Sequence, residues 1–406
     1  MAARCHAAAA WRTGAARPGA WRQGCGQGAW RALSPQHRAL SVLSRPLTIR
    51  HGGSLYPPDA PGRSARLSTT NAAKGAAAKG PAPAKVGAAT FHFSEGPELA
   101  ANRGSCAAVV IGKFCVLIGG FNEQDGHLGC TEVIDMSAQE GGAGPSLRMA
   151  RYDHAAVRVD AENLMVIGGF NKRTLATTEI MSLEDAATNP WLFKPGPSLP
   201  SPRMACAAVL LKDEKTVLVI GGGEGVLEHV GPGKGGPEWE ATATTELLDL
   251  ATMSFTPGPK MLEPRMGCAA IVLENGNVLV LGGQDDEGDS LQTTEILDLK
   301  TMHFTTGPLL QTPRSRCCAL KLRGLDVVSV IGGQADPDSA LATTELLDVS
   351  GPSKKWAFID GPPLRQARFG CAVAALEQGA FVVGGWDFVN GSTSTTELLR
   401  RGDEAP

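Results

Sequence analysis

The chain predicts an all-β fold of six repeated units, and three features of its 406 residues predict it. First, Gly-Gly doublets close short apolar runs at 119–120, 168–169, 221–222, 282–283, 332–333 and 384–385, at spacings of 49, 53, 61, 50 and 52 residues. Second, a Glu framed by Thr and aliphatic residues recurs at Glu132, Glu179, Glu246, Glu295, Glu345 and Glu397, as in TTEILDL (293–299) and TTELLDL (244–250). Third, Gly-Pro pairs begin at 96, 144, 196, 258, 307 and 361, and seven residues after each Gly stands an Arg: Arg103, Arg151, Arg203, Arg265, Arg314 and Arg368. Self-similarity at a fixed period sets the architecture, so it is read before local propensity.

Each unit reads as four strands in order. Arg-x-x-Cys-Ala-Ala leads into one apolar run, and a second apolar run ends in Gly-Gly. A loop follows, then Thr-Thr-Glu-Leu-Leu-Asp, a short turn, and a strand with Phe or Trp that ends in Gly-Pro. The apolar pieces are about five to seven residues long and bounded by Gly, Pro or Asp, which are strand lengths and turn signals. LATMSF (250–255) is a typical connection, with Asp249 and Thr252 placed to bond the turn backbone. Four strands in a unit of ~50 residues is the signature of a propeller blade. The prediction is a six-bladed β-propeller of four-stranded blades over residues 89–400.

The sixth unit shows three strands, Cys371–Leu376, Phe381–Gly385 and Thr395–Leu399. The stretch ATFHFSEGP (89–97) matches MSFTPGP and MHFTTGP, the fourth strands of other units. It is expected to complete the last blade, so that an N-terminal strand closes the ring and removes the exposed edges that invite aggregation.

Composition agrees: 50 Gly, 5% aromatic and 19% charged residues suit a turn-rich β protein. No run of 18 apolar residues exists, so no transmembrane helix is expected. The net charge of −3 hides an asymmetry. Residues 1–88 carry 13 Lys/Arg and one acid, Asp59, whereas the rest has 25 Lys/Arg against 40 Asp/Glu. An acidic body argues against a nucleic-acid partner and favours a basic or neutral one. Residues 1–58 hold eight Arg and no acid. Residues 1–60 therefore read as an organellar transit peptide, mitochondrial or plastid, or else as a disordered basic tail on a cytoplasmic protein. Residues 61–88 read as a low-complexity linker, and 401–406 as a tail.

Gly-Gly after strand two, an aromatic in strand four and Arg opening strand one resemble the kelch-repeat family, in six copies over about 89–400. Two positions depart from the family pattern. The Tyr often found in strand three is Leu, Ile or Met, and the Trp of strand four is mostly Phe, as at Phe255 and Phe304. The resemblance implies a monomeric, non-catalytic propeller without a cofactor, binding another protein through its loop face. No BTB-like domain fits in residues 1–88. Kelch-like copper oxidases use Tyr and His ligands and a Tyr–Cys link; with two Tyr, one of them Tyr56 outside the propeller, that activity is disfavoured. The ligand motif of kelch-type iron-dependent specifier proteins is absent. A second reading is a kelch-type enzyme acting on an anionic sugar, epimerase- or mutarotase-like, with Arg side chains such as Arg151 holding a carboxylate at the mouth. A third is a passive architectural element.

Six recurring Glu on packed faces require partners, and the repeat supplies one Arg for each; six Glu–Arg or Glu–backbone interactions are expected. A role repeated in every unit is structural. The third residue after each Arg is Cys106, His154, Cys206, Cys268, Cys317 and Cys371. Cys suits a crowded innermost strand; a thiol ring for a soft metal is the alternative, at spacings that match no zinc motif. Regularly placed Cys fit a reducing compartment.

Function is expected where the symmetry breaks, on the loops. FNEQDGHLG (121–129) and QDDEGDSLQ (284–292) are acidic, FNKRTLA (170–176) is basic, and the third unit carries a long insertion, 223–243. The candidate binding residues are Tyr152, Asp153, His154, Trp239, Arg314, Arg316, Trp386 and Phe388, on an acidic rim around an Arg-ringed mouth. Tyr152, Asp153 and His154 either serve acid–base or ligand chemistry or fill one wider gap.

Overall fold

A computed structural model describes residues 84–86, 89–182, 192–225, 239–377 and 379–402. The Arg-rich segment 1–60, the linker up to residue 83, residues 226–238 of the insertion and the tail from 403 lie outside the described residues.

Six antiparallel sheets form a six-bladed β-propeller. Blade I contains Ala107–Ile111, Phe114–Ile118, Thr131–Asp135 and Glu140–Ala143, hydrogen-bonded in that order from the axis outward. The innermost strands of blades II to VI are Ala155–Arg158, Ala207–Leu210, Ala269–Val272, Cys318–Lys321 and Ala372–Leu376. In blade VI, Ala89–Glu95 pairs with Thr396–Arg401, Glu95 opposite Glu397. Ala84–Val86, inside the stretch expected to be linker, adds a fifth strand on its outer edge. Among the described residues there is no α-helix, only a 3-10 turn at Ser353–Lys355.

The core lies between blades. Val109, Ile111, Val116 and Ile118 of blade I pack on Leu164, Val166 and Met181 of blade II. Second strands such as Val278–Leu281 are buried on both faces, which is why they read as unbroken apolar runs.

The repeated motifs have local causes. Both glycines of each doublet hold positive φ, 55° and 104° at Gly119 and Gly120, a conformation that side chains disfavour. The second Thr of each Thr-Thr-Glu (Thr131 in the Cys-Thr-Glu of blade I) donates its hydroxyl to the Pro carbonyl of a Gly-Pro, at 2.7 Å in all six blades. A Cβ on the Gly of that pair would overlap the same hydroxyl, so Thr and Gly-Pro recur together. Two residues past each Pro, an apolar side chain (Leu99, Leu147, Leu199, Met261, Leu310 or Leu364) is buried. The expected turn also forms: Asp249 Oδ1 accepts the amides of Ala251 and Thr252 at 2.7 and 2.9 Å. Alternating strand direction puts the loops after Gly-Gly and the Gly-Pro-to-Arg connections on one face, here the upper face.

Candidate functional site

The upper face is built on six buried ion pairs. Each recurring Arg reaches the Glu of its own unit: Arg103–Glu132 at 3.7 Å, Arg151–Glu179 at 2.7, Arg203–Glu246 at 3.3, Arg265–Glu295 at 3.0, Arg314–Glu345 at 2.9 and Arg368–Glu397 at 2.9. Each Arg also donates Nη1 to the carbonyl of the first Gly of the doublet, at 2.7–3.1 Å. The Glu carboxylates accept backbone amides from the incoming connection, as Glu345 does from Gln311 and Thr312 at 2.8 and 3.1 Å. Five of the six Glu, all but Glu246, therefore fasten the chain arriving from one blade to the next.

Two pairs are weaker, and the sequence says why. In blade III the connecting residue is Pro200, which has no N–H to give; Glu246 Oε2 is left without a partner. In blade I Cys130 replaces the first Thr, whose hydroxyl elsewhere accepts from the Arg. Burial raises the carboxyl pKa of both Glu132 and Glu246.

This geometry corrects the Arg-ringed mouth. Arg314 and Arg151 are fully buried, with their donors spent on Glu345, Gly332 and Thr343, and on Glu179, Gly168 and Thr177. Neither guanidinium faces the mouth, so Arg314 offers no contact to a partner and Arg151 none to a sugar carboxylate.

The mouth is closed instead by backbone. The residues two after each Arg donate and accept in a closed ring: Asp153 to Ser105, Ala205 to Asp153, Gly267 to Ala205, Arg316 to Gly267, Gly370 to Arg316 and Ser105 to Gly370, at 2.6–3.0 Å. All six have φ between 49° and 66°. Arg316 and Asp153 project from opposite sides and pair at 3.2 Å. The inner strands run down from this ring and line an apolar cavity of about 380 Å³.

His154 occupies the position held by Cys in the other blades. It is buried, and burial first, then Arg151, push its pKa down to about 3, so the ring is neutral. Burial pushes four of the thiols at this position up, to about 11 for Cys106 and Cys206 and about 12 for Cys268 and Cys317, whereas the hydrogen bond from Cys318 lowers that of Cys371. Cys318 Sγ lies 3.5 Å from Cys371 Sγ. Among the described residues no three His, Cys, Asp or Glu side chains are grouped to hold a metal ion.

Outside the ring lies an arc of aromatic rings that no repeat position announced as a whole. Trp386 meets Phe121 at 5.8 Å between centroids, Phe121 meets Tyr152 at 5.6, Tyr152 meets Phe170 at 5.4, and Phe170 meets Trp239 at 5.4, with His127 against Phe121, Tyr152 and Phe170. Trp386 and Phe170 are buried beneath it; Phe121, His127, Tyr152 and Trp239 are half-buried. The Trp386 indole lies over Gly104, where any Cβ would strike it. Phe388 stacks on Phe369 at 5.0 Å and stays 45% exposed. The arc follows from the residue after Gly-Gly: Phe121, Phe170 and Trp386 in blades I, II and VI, but Gln284 and Gln334 in blades IV and V.

The polar half is acidic. Glu123 and Asp125, Glu224 and Glu240, Asp286 and Glu287, and Asp336 and Asp338 are exposed on the loops of blades I, III, IV and V. Glu123 also accepts the Ser392 amide at 2.7 Å and so clips blade I to blade VI. Where arc and acidic half meet, Trp239, Glu240, Ala241 and Asp286 wall a cavity of about 460 Å³.

No family model matches the chain. It is similar to an F-box/kelch-repeat protein of Arabidopsis thaliana, 27% identical over 202 residues. That match covers 44% of this chain and 39% of the relative's length. The six four-stranded blades, their recurring Gly-Gly, Glu and Arg positions and this relative are together consistent with membership of the kelch-repeat family.

Proposed function

We propose that the propeller is a non-catalytic interaction module that holds a partner protein on its upper face. One observation carries the reading. Of nine exposed large hydrophobic side chains among the described residues, five (Met149, Leu262, Leu309, Phe388 and Val389) stand on upper-face loops and connections. Phe388 and Val389 belong to the loop that carries Trp386 at one end of the aromatic arc, and exposed apolar groups with a polar rim mark protein-binding surfaces. Propellers of this kind suit the role, because rigid blades present variable loops. On composition alone, residues 1–60 are further proposed to direct the propeller to a mitochondrion or plastid, which a fluorescent fusion of that segment tests.

The interaction reading is tested by site-specific photo-crosslinking in the protein's own cells. A crosslinker at Val389 should give a discrete protein adduct, whereas one at Met302, on a lower-face turn, should give none. Equal adducts at both positions would defeat the assignment.

A further inference from the structure

We infer that the cavity beside Trp239 receives an arginine side chain from a basic, acid-poor segment of the partner. The inference rests on the interaction reading and names the partner's chemistry. The cavity has an aromatic wall, Trp239, and two carboxylates, Glu240 and Asp286, and its volume of about 460 Å³ admits a side chain with its backbone. A guanidinium is planar and weakly hydrated. It stacks on an indole while its fork of donors reaches carboxylates, so this wall composition fits it better than a neutral side chain.

The surroundings favour the same charge. Blades I, III, IV and V each expose at least two carboxylates on the loops after Gly-Gly. Among the described residues of the loops after Gly-Gly in all six blades, Lys172 and Arg173 of blade II are the only Lys or Arg. An acidic segment entering at Trp239 would meet Glu240 and Asp286 first and be repelled. A basic one is drawn across blades III to V by long-range attraction that salt weakens.

The test uses the full chain and a synthetic arginine-rich peptide without acidic residues, labelled for fluorescence anisotropy. Its counterpart has every arginine replaced by citrulline, which keeps the shape and removes the charge. The citrulline peptide should bind at least ~10-fold more weakly. The double variant Glu240→Gln with Asp286→Asn, at two exposed positions that folding does not need, should lose about as much for the arginine peptide. Glu274→Gln on the lower face should change nothing. Equal binding of the citrulline peptide, or an equal loss with Glu274→Gln, would overturn the inference. Adducts at Val389 alongside either of those results would remove only this inference; absence of adducts there would remove the interaction reading itself.

Discussion

Arg316 of blade V and Asp153 of blade II meet across the propeller axis, Nη1 to Oδ2 at 3.2 Å. Their side chains are 12% and 7% exposed, and both backbones sit at positive φ, 50° and 49°. The other four ring positions hold Ser, Ala or Gly. The two residues that break the pattern are thus each other's partners, and they cap the central cavity. A double-mutant cycle of Arg316→Gln and Asp153→Asn should show coupling of about 1–3 kcal/mol in urea denaturation, between an exposed pair and a fully buried one. Coupling near zero would show that solvent already separates the charges.

The six Glu–Arg pairs should not be equivalent. Glu345 holds Arg314 and two amides, so Glu345→Gln should cost about 3–5 kcal/mol by leaving a buried guanidinium unpaired. Glu246 lacks the amide that Pro200 cannot supply, and its carboxylate is already strained by burial. Glu246→Gln should therefore cost about 1–2 kcal/mol less. Guanidinium denaturation of the two variants decides it; equal costs would mean that the connecting amides contribute nothing.

Thr294 and Gly307 form a steric pair. The Thr294 hydroxyl donates to the Pro308 carbonyl at 2.7 Å and occupies the place a Cβ on residue 307 would take. Gly307→Ala should cost about 1–3 kcal/mol by overpacking. In a Thr294→Ala background the same substitution should cost markedly less, because the obstructing atom is gone. Additive losses would place the strain elsewhere.

Much of this was legible in the residues because the repeat speaks six times. Arg-to-Glu pairing followed from charge burial and matched offsets alone, and the turn at Asp249 from side-chain chemistry. Three things were not legible. The recurring Arg suggest a charged mouth, yet pairing with Glu requires them to be buried, and the offset says nothing of which way a side chain points. The link between Arg316 and Asp153 spans 163 residues and exists only because six blades close into a ring. The aromatic arc draws rings from four blades, and the residue after Gly-Gly, the one signal for it, is aromatic in three of them.

His154 makes the last prediction, on pH. Its folded pKa is pushed down to about 3 from the ordinary 6.5, first by burial and then by Arg151. The unfolded chain therefore binds one proton more than the folded one between those values. By linkage the stability it contributes is present above pH 6.5 and is lost as pH falls toward 3, at up to about 1.4 kcal/mol per pH unit. His154→Cys installs the residue found at this position in the other five blades, and the thiols of Cys106, Cys206, Cys268 and Cys317, pushed up to about 11 or 12, do not titrate in that window. The substitution should flatten the stability profile between pH 6.5 and 4, read from urea midpoints, while carboxylate contributions cancel in the comparison. An unchanged slope would mean that the imidazole finds a proton and a partner inside the fold.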